Sequence, residues 1–159
     1  MLLINISCNH SDSKAKKSGK KLFERKGELI YLQGSDVPYT GEIKDTLQDR
    51  VVDYHVVKGI KDGEFKVFFL NGNPQMDGMI KNGLNEGEWK YYYNDGNIES
   101  EGKFKHDTVV GKWQWFYRNG KIKEEGNYTA GQRNGVWKDY NVSGKVADTK
   151  KFHNDMVVK

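Results

Sequence analysis

Cysteine and proline are nearly missing from these 159 residues: one cysteine, Cys8, and two prolines. A single cysteine excludes an intramolecular disulfide framework and a thiolate metal cluster. The four histidines (His10, His55, His106, His153) are scattered, with no pair at metal-ligand spacing, so no metal site and no cofactor is expected. Apolar residues are also scarce, at 36% with a mean hydropathy of −0.85, which points to a thin core. Aromatics at 13% and 18 glycines run the other way. A disordered chain lacks aromatic and β-branched residues. High glycine with high aromatic content points to many tight turns between short aromatic strands.

The net charge of +4 is unevenly placed. Residues 1–26 carry seven basic side chains (Lys14, Lys16, Lys17, Lys20, Lys21, Arg25, Lys26) against Asp12 and Glu24, a net +5, and the remainder sums to about −1. A nucleic-acid-binding domain carries its positive charge on a folded face. Here it belongs to a tail, so no nucleic-acid partner is expected. The opening MLLINISC is too short, and lacks the basic start, for a complete secretory signal. It resembles the end of a bacterial lipoprotein signal, although Asn5 stands where leucine is usual. On that resemblance Cys8 is a lipidation candidate in a chain whose true start lies upstream. The bacterial envelope is then favoured over the cytoplasm. The basic tail could add a membrane-surface contact, each lysine near an anionic surface contributing ~1 kcal/mol.

Four units of 24 residues align without gaps, at 63–86, 87–110, 111–134 and 135–158. Each opens with glycine (Gly63, Gly87, Gly111, Gly135). Then come Phe65, Trp89, Trp113 and Trp137, and Phe68, Tyr92, Phe116 and Tyr140. A turn column follows (Gly72, Gly96, Gly120, Gly144), then Ile80, Phe104, Tyr128 and Phe152. A degenerate copy precedes them, since VVKGIKDG (56–63) matches IKNGLNEG (80–87), and ELIYLQGSDVPYTGEI (28–43) reads as two strands that start the sheet. The expected organisation is a disordered basic tail over 1–22, degenerate first strands over 23–62 and four repeats over 63–158.

Asn71-Gly72, Asp95-Gly96, Asn119-Gly120 and Ser143-Gly144 suggest two-residue hairpin turns, in which both central residues take positive φ. That register sets Tyr93 against Ile98, Tyr91 against Ser100 and Trp89 against Gly102. On the other face it sets Tyr92 against Glu99, Lys90 against Glu101 and Glu88 against Lys103. Phe65, Trp89 and Trp113 each meet a glycine, over which the ring can lie, whereas Trp137 meets Lys150, as in a capping unit. The fold expected is all-β: one elongated, twisted antiparallel sheet of tandem 24-residue hairpins. One face is apolar. The other carries charge pairs and an aromatic ridge of Phe68, Tyr92, Phe116 and Tyr140.

These columns, G-x-[WF]-x-x-[YF]-[YF]-x-x-G and then G-x-[YF]-x-x-G, resemble the bacterial MORN repeat variant of YwqK-type proteins, over about residues 56–158. Pro38-Tyr39-Thr40-Gly41 looks like that family's lead-in. The resemblance implies a hairpin-repeat fold. It also implies roles in scaffolding, in membrane attachment or as an antitoxin-like regulator that binds a toxin protein. The chain has no G-x-S-x-G, P-loop or H-E-x-x-H, and Glu99, Glu101 and Glu125 fall where cross-strand partners are expected. The reading is therefore a non-enzymatic scaffold or interaction module that binds a protein partner through an aromatic sheet surface. Sugar stacking on exposed aromatics is a further alternative.

Overall fold

The computed structural model describes residues 23–158; Cys8 and the basic tail over 1–22 lie outside the described residues. Thirteen strands and no helix make up the described chain. They are β1 (Phe23–Lys26), β2 (Leu29–Leu32), β3 (Gly41–Leu47), β4 (Arg50–Val57), β5 (Ile60–Phe69), β6 (Pro74–Lys81) and β7 (Leu84–Tyr92), followed by β8 (Ile98–Lys105), β9 (Thr108–Phe116), β10 (Ile122–Thr129), β11 (Gln132–Tyr140), β12 (Val146–His153) and β13 (Met156–Val158). Strands β3 to β13 form one antiparallel sheet in chain order. Ten inter-strand gaps of ~4.8 Å give it a length of roughly 48 Å. The expected all-β array of hairpins is observed.

The start of the sheet differs from expectation. Leu29–Leu32 pairs with Phe23–Lys26 in a separate two-stranded sheet, and the long sheet begins only at Gly41. The small hairpin packs on the first strands of the array, with Ile30, Ile43 and Val56 buried together against Phe23, Tyr39 and Tyr54. The amide of Ile30 donates to the Gly59 carbonyl at 2.9 Å, which ties the two sheets.

The mid-unit turns also differ. In the Tyr93–Asn97 loop the Gly96 amide donates to the Tyr93 carbonyl and the Tyr93 amide to the Asn97 carbonyl, both at 2.9 Å. Only Gly96 has positive φ, +89°. This is a three-residue loop, a type I turn closed by a glycine bulge. Asp95 accepts the Asn97 amide at 3.1 Å, so its role is a side-chain cap and not a left-handed backbone. The extra residue shifts the register. Tyr92 pairs with Ile98, not Glu99, while Tyr91–Ser100, Lys90–Glu101, Trp89–Gly102 and Glu88–Lys103 stand as expected. The two-residue turns with both residues at positive φ lie at the other end of the strands, at Lys58-Gly59, Asn82-Gly83, His106-Asp107, Ala130-Gly131 and Asn154-Asp155. Units that open at Gly63, Gly87, Gly111 and Gly135 therefore cut through the middle of strands.

Those opening glycines occupy bulges between hairpins. Asp77 pairs with Lys90 and Met79 with Glu86, so Gly87, Glu88 and Trp89 together oppose Gly78. Gly87 takes φ +72° there, a conformation that a residue with a Cβ adopts at a cost. The bulge throws the following aromatic back over the preceding hairpin. A Cβ on Gly78 would lie 2.3 Å from the Trp89 ring, one on Gly102 2.2 Å from Trp113, and one on Gly126 2.1 Å from Trp137. Each ring thus covers the glycine of the hairpin before it, not its own cross-strand glycine. Lys150 holds the corresponding position in the β11–β12 hairpin, opposite Trp137.

The core is accordingly one-sided. Trp89, Trp113 and Trp137 are 3%, 6% and 3% exposed. Tyr54, Phe65, Trp89, Tyr91, Trp113, Trp115 and Trp137 run as tilted or stacked neighbours at 5.8–6.4 Å. Phe104, Tyr128 and Phe152 present edges to these rings. Aromatic pairs in such geometries add about 0.5–1.5 kcal/mol each beyond area burial. Lys61 closes one end over Tyr54 and Phe65, and Arg133 the other over Trp137 and Phe152. Burial, with some help from the charge of Arg25, lowers the pKa of Lys61.

Candidate polar-face surface

The face opposite the tryptophans is built on one row of residues at a 24-residue period. The cross-strand pairs run Lys44–Asp53, Asp53–Lys66, Lys66–Asp77, Asp77–Lys90, Lys90–Glu101, Glu101–Gln114, Gln114–Glu125, Glu125–Lys138 and Lys138–Thr149. Strands β4, β6, β8 and β10 supply an acid (Asp53, Asp77, Glu101, Glu125), and β12 supplies Thr149. Each outgoing strand supplies lysine or glutamine (Lys66, Lys90, Gln114, Lys138). Opposite charges facing across strands stabilise a sheet by roughly 0.2–1 kcal/mol per pair. Flanking ion pairs join Lys103 to Glu88 at 3.0 Å and Lys112 to Glu125 at 2.9 Å.

Phe68, Tyr92, Phe116 and Tyr140 lie two residues beyond that row on β5, β7, β9 and β11, so alternation puts them on the same face. All four are half-buried. The two tyrosines are each bonded to the acid of the preceding strand: the Tyr92 hydroxyl donates to Asp77 at 2.7 Å and the Tyr140 hydroxyl to Glu125 at 2.6 Å. Burial, then the bond to Asp77, pushes the Tyr92 hydroxyl well above the ordinary phenol range, so it remains a donor. Glu125 is held below the ordinary carboxylate range, chiefly by the Tyr140 hydroxyl and further by Lys112 and Gln114, against the opposing effect of burial. It is an ionised acceptor at neutral pH.

The other sequence-predicted residues have structural places. Phe65, Trp89, Trp113 and Trp137 are in the core. Gly72, Gly96, Gly120 and Gly144 sit in the loops at φ +77° to +89°. Tyr93 and Tyr117, beside the ridge in sequence, point to the other face. Their hydroxyls reach the carbonyls of Phe116 and Tyr140 in the next hairpin, at 2.7 and 2.8 Å. The continuous acid–base row went unnoticed in the sequence, although the columns at 53, 77, 101 and 125 and at 66, 90, 114 and 138 carry the signal.

Concavities on this face are open and polar. One of about 520 Å³ is lined by Glu88, Lys90, Glu101, Lys103, Lys112 and Gln114, with Gly102 and Gly111. One of about 160 Å³ is lined by Glu42, Asp53, Tyr54, His55, Glu64 and Lys66. Among the described residues no group of three or more His, Cys, Asp or Glu is placed to hold a metal ion. Paired charges and protonated tyrosines suit this face to contact and hydrogen bonding.

Residues 61–82, 85–106 and 109–130 match the family model described as MORN repeat variant. These three hairpins are thus similar to the MORN repeat variant. Each matched segment runs from an outgoing strand through the glycine loop and along the return strand to the first residue of the next two-residue turn. The 24-residue period is one full hairpin with its connection. No curated protein matches the chain. The all-β repeat architecture and the match are consistent with a repeat scaffold or interaction module.

Proposed function

We propose that this chain is a non-enzymatic interaction module that holds a protein partner on its polar face through Phe68, Tyr92, Phe116 and Tyr140. One observation carries the reading. The core is completed on the opposite face by the tryptophan ladder, and four half-buried rings still stand among the charged residues of the polar face. They recur every second strand, roughly 10 Å apart. Aromatic side chains in a polar surround have the make-up of binding hot spots. In this reading residues 63–158 are the binding array, residues 23–62 its first strands and cap, and residues 1–22 a tether. A photo-crosslinker at position 116 identifies the partner in cells. Calorimetry then compares the wild type with F68A/F116A, which is expected to bind it tenfold or more weakly while keeping the wild-type circular dichroism. Equal affinity would remove the ridge from the binding surface.

A second reading is attachment at a membrane surface, supported by Cys8 and the seven basic side chains of residues 1–26. A lipid chain and a basic patch together give stable anchoring, where one alone does not. Sedimentation with anionic vesicles, with and without residues 1–26, tests it. Equal sedimentation of the two forms counts against a role for the tail.

A further inference from the structure

The ridge of Phe68, Tyr92, Phe116 and Tyr140 has a fixed period, and that period restricts which peptide can lie along the array, across its strands. Strands stand about 4.7–4.9 Å apart, so rings on every second strand recur at about 9.4–9.8 Å. A polyproline II helix turns once in about three residues with a rise of about 3.1 Å each, so one edge of it presents a side chain every 9.3 Å or so. An α-helix approaches the spacing only at its heptad, about 10.5 Å for seven residues. An extended strand repeats on one face at about 6.7 Å and cannot seat successive rings. Between Phe68 and Tyr140 a polyproline II segment drifts from the rings by about 0.3–1.5 Å in all. An α-helix drifts by about 2–3 Å, enough to carry its last anchor off the ring.

The chemistry of the ridge points the same way. Each ring has an apolar cross-strand partner: Pro74 for Phe68, Ile98 for Tyr92, Ile122 for Phe116 and Val146 for Tyr140. The hydroxyls of Tyr92 and Tyr140 are already bonded to Asp77 and Glu125. The ridge therefore offers apolar and ring surface, with no row of hydroxyl donors for a peptide backbone. A polyproline II backbone makes no internal hydrogen bonds and leaves its polar groups to water, so it needs no such row. Its preformed shape also loses little entropy on docking against aromatic side chains. The concavities beside the ridge differ in charge. The one on β3–β5 sets Glu42, Asp53 and Glu64 against Lys66 and His55, with acid in surplus. The one on β7–β9 sets Lys90, Lys103 and Lys112 against Glu88 and Glu101, with lysine in surplus.

Resting on the reading of the polar face as the partner surface, we infer that the ridge seats a polyproline II segment of a protein partner. Proline or another apolar residue stands at every third position of that segment, one for each ring, and about ten residues reach all four. Lysine or arginine at one end of the segment lies over the acidic concavity on β3–β5, which fixes the direction in which it docks. The residues between the anchors face water or the row of alternating acid and lysine that runs beside the ridge, so their identity matters less than their number.

A displayed library of random peptides, long enough to span four anchors, is panned on the whole chain and on F68A/F116A. Clones retained by the wild type and lost on the variant are expected to repeat proline or an apolar residue at every third position, with lysine or arginine at one end. One such peptide, made synthetically, is expected to bind the wild type tenfold or more weakly by fluorescence anisotropy once a single glycine is inserted between its second and third anchors. That comparison leaves the protein unaltered and does not depend on the folding of a variant. Anchors at heptad spacing, acidic residues in place of the basic end, or an insertion without effect overturn the inference and leave the ridge as the binding surface. Clones held equally by an F68A/F116A protein of wild-type circular dichroism, or no clones at all, overturn the inference together with the ridge itself.

Discussion

Replacing Gly102 by alanine tests the central packing rule of this sheet. Gly102 has no left-handed backbone to lose, so on chain entropy alone the change would stabilise by about 0.4–1 kcal/mol. The packing says the opposite. The new Cβ would lie 2.2, 2.3 and 2.4 Å from Cδ2, Cε2 and Cγ of Trp113. That indole is 6% exposed, touches Phe104, Trp115 and Tyr128, and donates from Nε1 to the Lys103 carbonyl at 3.2 Å. It has no room to retreat without opening contacts on both neighbouring hairpins. Overpacking typically costs 1–3 kcal/mol, and displacement of a hydrogen-bonded ring puts this site at the upper end. The expected cost is about 3 kcal/mol. For a chain of this length that is a fall in melting temperature of roughly 6–12 °C. Urea unfolding followed by tryptophan fluorescence measures it. The same substitution in a W113A background should cost nothing or stabilise slightly, because the ring it strikes is gone; that difference is the coupling of the pair. A G102A protein within about 0.5 kcal/mol of the wild type, well inside the range just derived from overpacking, would refute the account of the glycine column.

Other expectations follow from the same contacts. Gly120→Ala places a side chain at φ +77° in open space, so its cost is backbone strain alone, about 1–2 kcal/mol in urea unfolding. Tyr93→Phe removes the hydroxyl bond to the Phe116 carbonyl of the next hairpin and should cost about 1 kcal/mol by the same assay; position 69, the equivalent in the preceding hairpin, is already phenylalanine. Glu125 has a lowered folded pKa, so its stabilisation is present above the ordinary carboxylate value of about 4.3 and is lost as the pH falls through the folded value. Tyr140→Phe should therefore cost about 1 kcal/mol at pH 7 and little near pH 2, and E125Q should flatten that part of the pH profile. An identical Tyr140→Phe deficit at both pH values would assign the effect to lost packing.

The architecture was legible because a period repeated four times fixes which columns share a face. The Trp89–Gly102 and Lys90–Glu101 pairs could be set from Asp95-Gly96 alone, since the added loop residue is absorbed in a bulge at Glu99 before either pair is reached. The loop type itself was not legible. Asn-Gly and Asp-Gly serve both the two-residue turn and the type I turn with a glycine bulge, and Asn82-Gly83 and Asn71-Gly72 use one each. The destination of the tryptophans was missed for a different reason. Cross-strand register within a hairpin says nothing about a three-residue bulge between hairpins, and that bulge decides which glycine each ring covers. On the polar face the four rings were picked out by their column. Their anchoring to Asp77 and Glu125, a diagonal contact fifteen residues back, needed the inter-hairpin register.

The two faces are coupled through the backbone they share. Each tryptophan belongs to one hairpin and rests on the glycine of the one before, so the ladder fixes the distance and twist between successive hairpins. Trp113 is followed directly by Gln114, and Phe116 lies two residues further on, on the face opposite the ladder. The spacing of Phe68, Tyr92, Phe116 and Tyr140 is therefore set by the glycine–tryptophan contacts beneath them. In an array where each unit touches only its neighbours, stability is carried by interfaces more than by single units. A substitution such as Gly126→Ala would accordingly disturb the geometry between Phe116 and Tyr140 and leave that between Phe68 and Tyr92 intact. A surface that reads a partner at several points in a row gains its precision from a core with no side chain at the points of closest contact.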